Sequence, residues 1–449
     1  LKAETPINDF VQSYAESGVS RFHMPGHKGV SLHGLEALDI TEIKGAGYLY
    51  EAGGVISASE EAASRIFGTA RTFYSTEGSS LSIKTMLSIA MRCRGSRSGR
   101  TRIIAARNAH KAFIDGCILL DIDPVWIYSK TPSASVCGCR VTPEDVRSAL
   151  DTAPDAAAVY ITSPDYLGNL TDIKGISRIC KAYGVPLLVD NAHGAYLKFL
   201  SPSLHPIDLG ADMCCDSAHK TLPVYTGGSY LHISRSAPEE FSRCAKAEMS
   251  LFASTSPSYL IMGSLDKCAG ELEGALPERI RKCCRRTELA RKRTEACGWE
   301  TAGDEPMKLT VCPGSRGYSG NELAELMRTS YRIECEYSDF SSVVFMPSPY
   351  NDERDFYRLE YAFRNIPKKP ALKAETEALP RTETVMSLRE ACFSVSEEIP
   401  ADTAEGRICA RPAFSCQPSI PLITGGEIFT AAIIKILKNY SIFTVSVVK

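Results

Sequence analysis

The chain has 449 residues, too many for one small core and enough for two or three domains. Its 51 Lys+Arg against 53 Asp+Glu leave a net charge of −2, which removes any global electrostatic case for nucleic acid or an anionic membrane. The 17 cysteines are an odd, scattered set without a C-x-x-C, so free thiols in a reducing compartment are expected and a standard zinc site is not.

Residues 1–56 are irregular and contain Phe22-His23-Met24-Pro25-Gly26-His27-Lys28. Their weak apolar periodicity predicts an arm draped over the body or over a partner subunit. The start, Leu1-Lys2-Ala3-Glu4-Thr5-Pro6, lacks the basic and apolar regions of a signal peptide. Apolar stretches are strand-sized, short of the roughly 20 residues of a membrane helix, so a cytoplasmic location is expected.

From 57 to 235 helix and strand patterns alternate. Helices are expected at 59–67, 81–91, 110–120 and 173–183, and after Thr142, an N-cap followed by Pro143 and two acids. Strands are expected at 102–106, 124–128, 156–161, 185–189, 211–216 and 228–233. Short continuous apolar strands between helices predict an α/β fold, with a mostly parallel sheet covered on both faces. Beyond 265, Pro277 opens a long charged helix to 296. Strand and helix signals at 309–311, 321–328 and 343–345 then predict a smaller α+β domain. The expected division is an arm (1–56), a major domain (57–270), and a linking helix with the smaller domain (271–449). Segments 367–380 and 398–406 read as linker or loop, and 429–449 as an apolar, helix-like run with a packing role. The basic run Arg279–Arg286 is flanked by acids and lacks stacking aromatics, which favours a solvated helix face over a nucleic-acid patch.

Two strand ends carry the chemistry. One strand ends in Asp190-Asn191-Ala192-His193 and the next in Ser217-Ala218-His219-Lys220. Ligands bind at the carboxyl ends of strands in such sheets. A lysine and an aspartate there suit a flat, cationic heteroaromatic ring: the amine forms an imine with an aldehyde, and the carboxylate keeps a pyridinium nitrogen protonated. Pyridoxal phosphate (PLP) chemistry requires that pair. A lysine at a strand end is usually a solvated charge, and an aspartate there is commonly a helix cap; together the two carry more weight. Glu77-Gly78-Ser79-Ser80 before the Leu81 helix offers N–H groups, hydroxyls and a helix dipole to an anion, although Ser-capped helices are commonplace. His110 follows a strand at a helix start, where a histidine is more often structural; stacking on a ring is the functional alternative. Ser254-Thr255-Ser256-Pro257 adds loop hydroxyls that plain turn chemistry would also explain.

Taken together, Asp190-Asn191-Ala192-His193-Gly194-Ala195, Ser217–Pro223, Thr255–Tyr259, Phe22–Lys28 and Asp39–Ile43 resemble the Orn/Lys/Arg decarboxylase family, in its short bacterial group. The resemblance covers about residues 5–270 and is weaker beyond, where Ile420–Glu427 is similar to a C-terminal Ile-Pro-Leu-x-x-Pro-Gly-Glu motif. It implies a fold-type I PLP-dependent, transferase-like enzyme. By position it makes Lys220 the Schiff-base lysine, Asp190 the pyridinium partner and His110 the ring-stacking histidine. Ser79, Ser80 and Ser217 become phosphate ligands, His193 and His219 lie beside the cofactor and the lysine, and Lys220 or His219 reprotonates the α-carbon. Ser254 would reach the phosphate of a neighbouring subunit, implying at least a homodimer, and Glu427 would help recognise the substrate. The implied reaction is decarboxylation of arginine or lysine, less readily ornithine, to a polyamine-type product, with no metal.

Departures fall on the substrate side. Gly45-Ala46-Gly47-Tyr48-Leu49-Tyr50-Glu51-Ala52-Gly53-Gly54 replaces a segment with paired acids, Asn191 stands where glutamate is common, and Gly425 replaces a proline. Two rival readings follow: another α-carbon reaction on the same cofactor, such as transamination or elimination, and a catalytically weak PLP-binding paralogue acting as a partner subunit.

Overall fold

The structure is a computed structural model that describes residues 4–95, 99–130, 135–372, 379–415 and 419–449. The chain divides into two compact units, Leu1–Arg94 with Pro186–Ile280, and Gly95–Val185 with Arg281–Lys449. Seven strands alternate with helices: β1 Arg71–Ser75, β2 Thr101–Ala106, β3 Ile122–Ile127, β4 Ala158–Thr162, β5 Leu187–Asp190, β6 Met213–Asp216 and β7 Ser229–Ile233. The fold is α/β with a mostly parallel sheet, as the strand spacing predicts.

In the first unit the strand order is β1-β7-β6-β5. Strands β5 and β6 run parallel, while β7 is antiparallel to both β6 and β1. The reversal has a local cause. A parallel return needs a crossover helix, but the link from β6 to β7 holds only one helical turn, Ala218–Thr221. Lys220 sits in that return. Every residue of β5, β6 and β7 is buried, which is why β5 and β6 read as apolar runs up to their terminal aspartates, and why Ser229 and His232 of β7 lie buried among its apolar residues. Strand β1 was not expected from the sequence; five residues between two helices leave little periodicity to read.

Helix α1, Pro6–Glu16, corrects the expectation of an irregular arm. It buries only Ile7 and Val11, too little apolar surface for the pattern to reveal. Docking supplies the rest: the Asn8 backbone N–H and Nδ2 donate to Asp266 Oδ2 at 2.9 and 2.8 Å, and Nδ2 also reaches the Gly263 carbonyl at 2.7 Å. Helices α2 (Gly54–Phe67) and α3 (Gly78–Arg94) flank β1 in the chain.

In the second unit β4, β2 and β3 are parallel neighbours in that order. Helix α4 (Lys111–Leu120) follows β2, and α5 (Pro143–Thr152) starts at Thr142 with a reciprocal capping box to Asp145, as its sequence predicts. A four-stranded antiparallel sheet, β8 Glu300–Ala302, β9 Leu309–Cys312, β10 Tyr337–Ser338 and β11 Val343–Phe345, has the order β10-β11-β9-β8. Its core includes Trp299, Leu309, Val311 and Phe363. Ser396–Pro400 pairs antiparallel with Thr444–Val448. The expected loop at 398–406 is therefore partly strand, and the helix-like run at 429–449 is a helix, Ala431–Asn439, followed by that strand. Of the expected linker at 367–380, residues 373–378 lie outside the described residues.

Every described cysteine is free, Cys416 lying outside the described residues. Among the described residues no helix is long and apolar enough to cross a membrane.

One buried carboxyl makes stability pH-dependent. Asp165 accepts from the Leu167 and Asn169 N–H groups at 3.0 and 2.9 Å and from Asn169 Nδ2 at 2.8 Å. Burial nonetheless pushes the carboxyl up to about 6, from an ordinary 3.8, against the pull of those bonds. The folded chain then binds this proton more tightly than the unfolded chain. The stabilising contribution is full below pH ~4 and is lost as pH rises through ~6, about 3 kcal/mol in all. Thermal midpoints measured from pH 4 to 7 should fall for the wild type relative to Asp165→Asn; parallel curves would contradict this assignment.

Candidate active site

The first unit gathers most of the expected residues around the β5, β6 and β7 ends. After β6 the chain turns at Ser217, whose carbonyl accepts the Lys220 N–H at 3.0 Å. His219 donates both its backbone N–H and Nδ1 to the Gly228 carbonyl, at 3.2 and 2.9 Å. This fixes the turn against the start of β7. The Lys220 amine, half-buried, is hydrogen-bonded to His193 Nε2 at 3.1 Å. The imidazole in contact with the lysine is thus His193, while His219 is occupied by a carbonyl.

Asp190 ends β5 and is 2% exposed. Its Oδ1 accepts from the Ala192 N–H at 3.1 Å and lies 3.7 Å from the Cys215 thiol. The next turn needs a glycine: a Cβ at Gly194 would stand 2.0 Å from Asn191 Oδ1. Cys215 faces Asp190 and Cys214 the opposite side of β6; burial pushes both thiols well up, which fits inert core thiols.

At the start of α3, Ser79 Oγ meets Ser217 Oγ at 2.7 Å. Ser229 joins Ser79 at 3.4 Å, and Ser82 joins Ser229 at 3.3 Å. Ser79 is buried in this cluster; Ser80, one residue on, is exposed. The Gly78 N–H donates to the Gly227 carbonyl at 2.7 Å, tying the turn to the approach to β7. Ser254 is exposed; its N–H donates to Glu77 Oε1 at 2.6 Å and its Oγ accepts from the Ser256 N–H at 3.1 Å.

Segment 45–54 is also built onto this unit. Gly45 and Gly47 take positive φ (+95° and +85°). The Tyr259 hydroxyl donates to the Gly47 carbonyl at 2.6 Å, and Lys246 Nζ donates to the Leu49 and Glu51 carbonyls at 2.9 and 2.8 Å. Burial and the neighbouring Glu51 push the Glu42 carboxyl up.

His110 and Glu427 belong to the second unit. His110 caps α4, with Nδ1 accepting from the Ala112 N–H at 3.1 Å. Glu427 is 1% exposed, accepts from the Thr424 N–H at 2.7 Å through Oε2, and pairs with Arg107 at 3.4 Å. Its Oε1 is buried without a hydrogen-bond partner among the described residues. The sequence did not single out Arg107, Ser82 or Ser229. Ser82 had a signal, lying one helical turn after Ser79 on α3.

The donor set suits PLP. Hydroxyls and the open N–H groups of the first turn of α3 form an anion site, an amine is available for an aldehyde, and a buried carboxylate for a ring nitrogen. The serine oxygens meet one another, and turning these hydroxyl protons outward would offer donors to a phosphate.

A family described as Orn/Lys/Arg decarboxylase, major domain, matches residues 5–311. The arginine decarboxylase of Bacillus subtilis (strain 168) is 29% identical over 456 residues, covering 95% of this chain and 91% of its own length. That of Halalkalibacterium halodurans is 28% identical, with the same coverage. Among solved structures, the lysine decarboxylase of Francisella novicida superposes with a TM-score of 0.83 at 17% identity, over 99% of this chain and 81% of that one.

Proposed function

Because the chain belongs to the Orn/Lys/Arg decarboxylase family and is a PLP-dependent amino acid decarboxylase, we propose that it decarboxylates a basic amino acid, arginine ahead of lysine and ornithine, to a polyamine-type amine. The observation that carries this is the grouping of Lys220, His193, Asp190 and the serine cluster on one unit. Bound there, PLP supplies an electron sink for the pair left on the α-carbon.

The chain's own residues do the remainder. Ser79, Ser80, Ser217 and the first turn of α3 bind the phosphate. Asp190 holds the ring-nitrogen proton by charge attraction. Lys220 retains the aldehyde end, and its amine, 3.1 Å from His193, is placed to return a proton to the α-carbon. His219, fixed on the Gly228 carbonyl, holds the lysine turn in register. His110 is assigned to ring stacking and Glu427 to the substrate, both on the family pattern. Ser254 is assigned to the phosphate of a second copy, which makes the working form a homodimer, and a cytoplasmic location fits the free thiols.

Support for a basic substrate comes from Glu42, whose carboxyl is pushed up by burial and by the neighbouring Glu51 carboxylate. Two acidic side chains set close together make a negative potential that a guanidinium or ammonium relieves. Carbon dioxide release should be measured across arginine, lysine, ornithine and leucine. Arginine should give the highest kcat/KM, by about tenfold or more, and leucine none. No release from any basic amino acid by yellow, PLP-loaded protein would transfer the reading to another α-carbon reaction or to a weak paralogue, which the altered 45–54 segment favours.

A further inference from the structure

The core beside the site holds a group of side chains that the proposed chemistry does not use. Asp216, the last residue of β6, is fully buried and accepts three hydrogen bonds. Asn191 Nδ2 donates to Oδ1 at 2.6 Å, while His205 Nε2 and His232 Nε2 lie 3.0 and 3.1 Å from Oδ2. His232 Nδ1 is in turn 2.8 Å from the Thr72 hydroxyl, which meets Thr69 Oγ1 at 2.8 Å. Asn191, His205 and His232 are each fully buried.

A buried carboxylate survives only where donors satisfy it, and here one amide and two imidazole N–H groups do so. The three donors come from different places. Asn191 immediately follows Asp190, His232 lies on β7, and His205 stands on the connection between β5 and β6. Asp216 itself immediately precedes Ser217, the residue that meets Ser79 and accepts the Lys220 N–H. One carboxylate thus links the strand end bearing the expected pyridinium partner to the turn bearing the expected Schiff-base lysine.

We propose that Asp216 and Asn191 are a matched positioning pair, supported by His205 and His232, that holds Asp190 and Lys220 in register for the cofactor. This rests on the reading of those two residues as the PLP ligands. The pairing also explains the asparagine. A second carboxylate at position 191 would lie about 3 Å from the fully buried Asp216, where two such groups cannot both ionise.

The test is a charge exchange at nearly constant volume. Asn191→Asp should lower the thermal midpoint of the cofactor-free protein and weaken PLP affinity at least thirtyfold, read from the visible absorbance of the bound cofactor. Asp216→Asn alone should weaken PLP affinity several-fold while leaving the circular dichroism spectrum unchanged. The double variant Asn191→Asp/Asp216→Asn restores one acid, one amide and an acceptor for the histidines, and should recover wild-type PLP affinity within about threefold. A double variant as defective as the worse single variant, or unable to fold, would overturn the pairing. So would an Asn191→Asp protein indistinguishable from wild type. Metal analysis closes the other route: a stoichiometric divalent ion in purified protein would make His205, Asp216 and His232 ligands instead. The midpoints of cofactor-free protein read the pair even if the PLP assignment were wrong, so the two failures are distinguishable.

Discussion

Lys220→Ala should abolish decarboxylation, by about four orders of magnitude or more, which corresponds to about 5 kcal/mol of transition-state stabilisation. The amine is the only primary amine side chain of the β6–β7 return, and the imidazole hydrogen-bonded to it, His193, cannot replace it as an imine former. Borohydride treatment of wild-type protein followed by peptide mapping should place the cofactor's mass on Lys220, and Lys220→Ala should show no fixed cofactor. The fold should persist, because the turn is held by main-chain bonds and by His219 on the Gly228 carbonyl. Fixation at a different lysine, or turnover within tenfold of wild type, would remove Lys220 from the site.

Asp190→Asn should follow with a loss of roughly 10²–10³ in kcat, about 3–4 kcal/mol. An amide matches the shape and keeps an acceptor for the Ala192 N–H, but it carries no charge to hold a ring nitrogen protonated. PLP should still bind through the serine cluster and Lys220, with a shifted visible band. The separation of binding from turnover is the informative readout. A variant with unchanged kcat and unchanged spectrum would show that Asp190 is only a cap of its turn.

Much of this was legible in the sequence. The buried strands β5, β6 and β7 announce themselves because both faces are covered, so apolar residues follow one another along them, with polar residues at their ends and His232 within β7. Their carboxyl ends could then be named as the candidate site. Elements with few apolar contacts of their own were not legible. Helix α1 shows two buried anchors and depends on Asn8 finding Asp266, 258 residues away. The strand pairing of Ser396–Pro400 with Thr444–Val448 likewise joins segments that give no local sign of one another. Within the site, Lys220, Asp190 and Ser79 carry signals in their neighbours. Ser229, Arg107 and the Asp216 group become visible only when distant strands are laid side by side. His193, read from the sequence as one of several cofactor contacts, is singled out by a distance.

The anchoring of segment 45–54 bears on which of its own residues can change. Besides the buried Ala46, Leu49 and Tyr50, the segment is held by carbonyl oxygens, those of Gly47, Leu49 and Glu51, gripped by Tyr259 and Lys246 from helices of the same unit. Every amino acid possesses a carbonyl, so this form of attachment is blind to side-chain identity. Mutations can rewrite the exposed side chains of Glu51 and Ala52 while the path of the segment over the unit is kept. The burden is thereby split: Ala46, Leu49, Tyr50, Lys246 and Tyr259 preserve the track, and the exposed Glu51 and Ala52 can change without endangering the folded scaffold beneath.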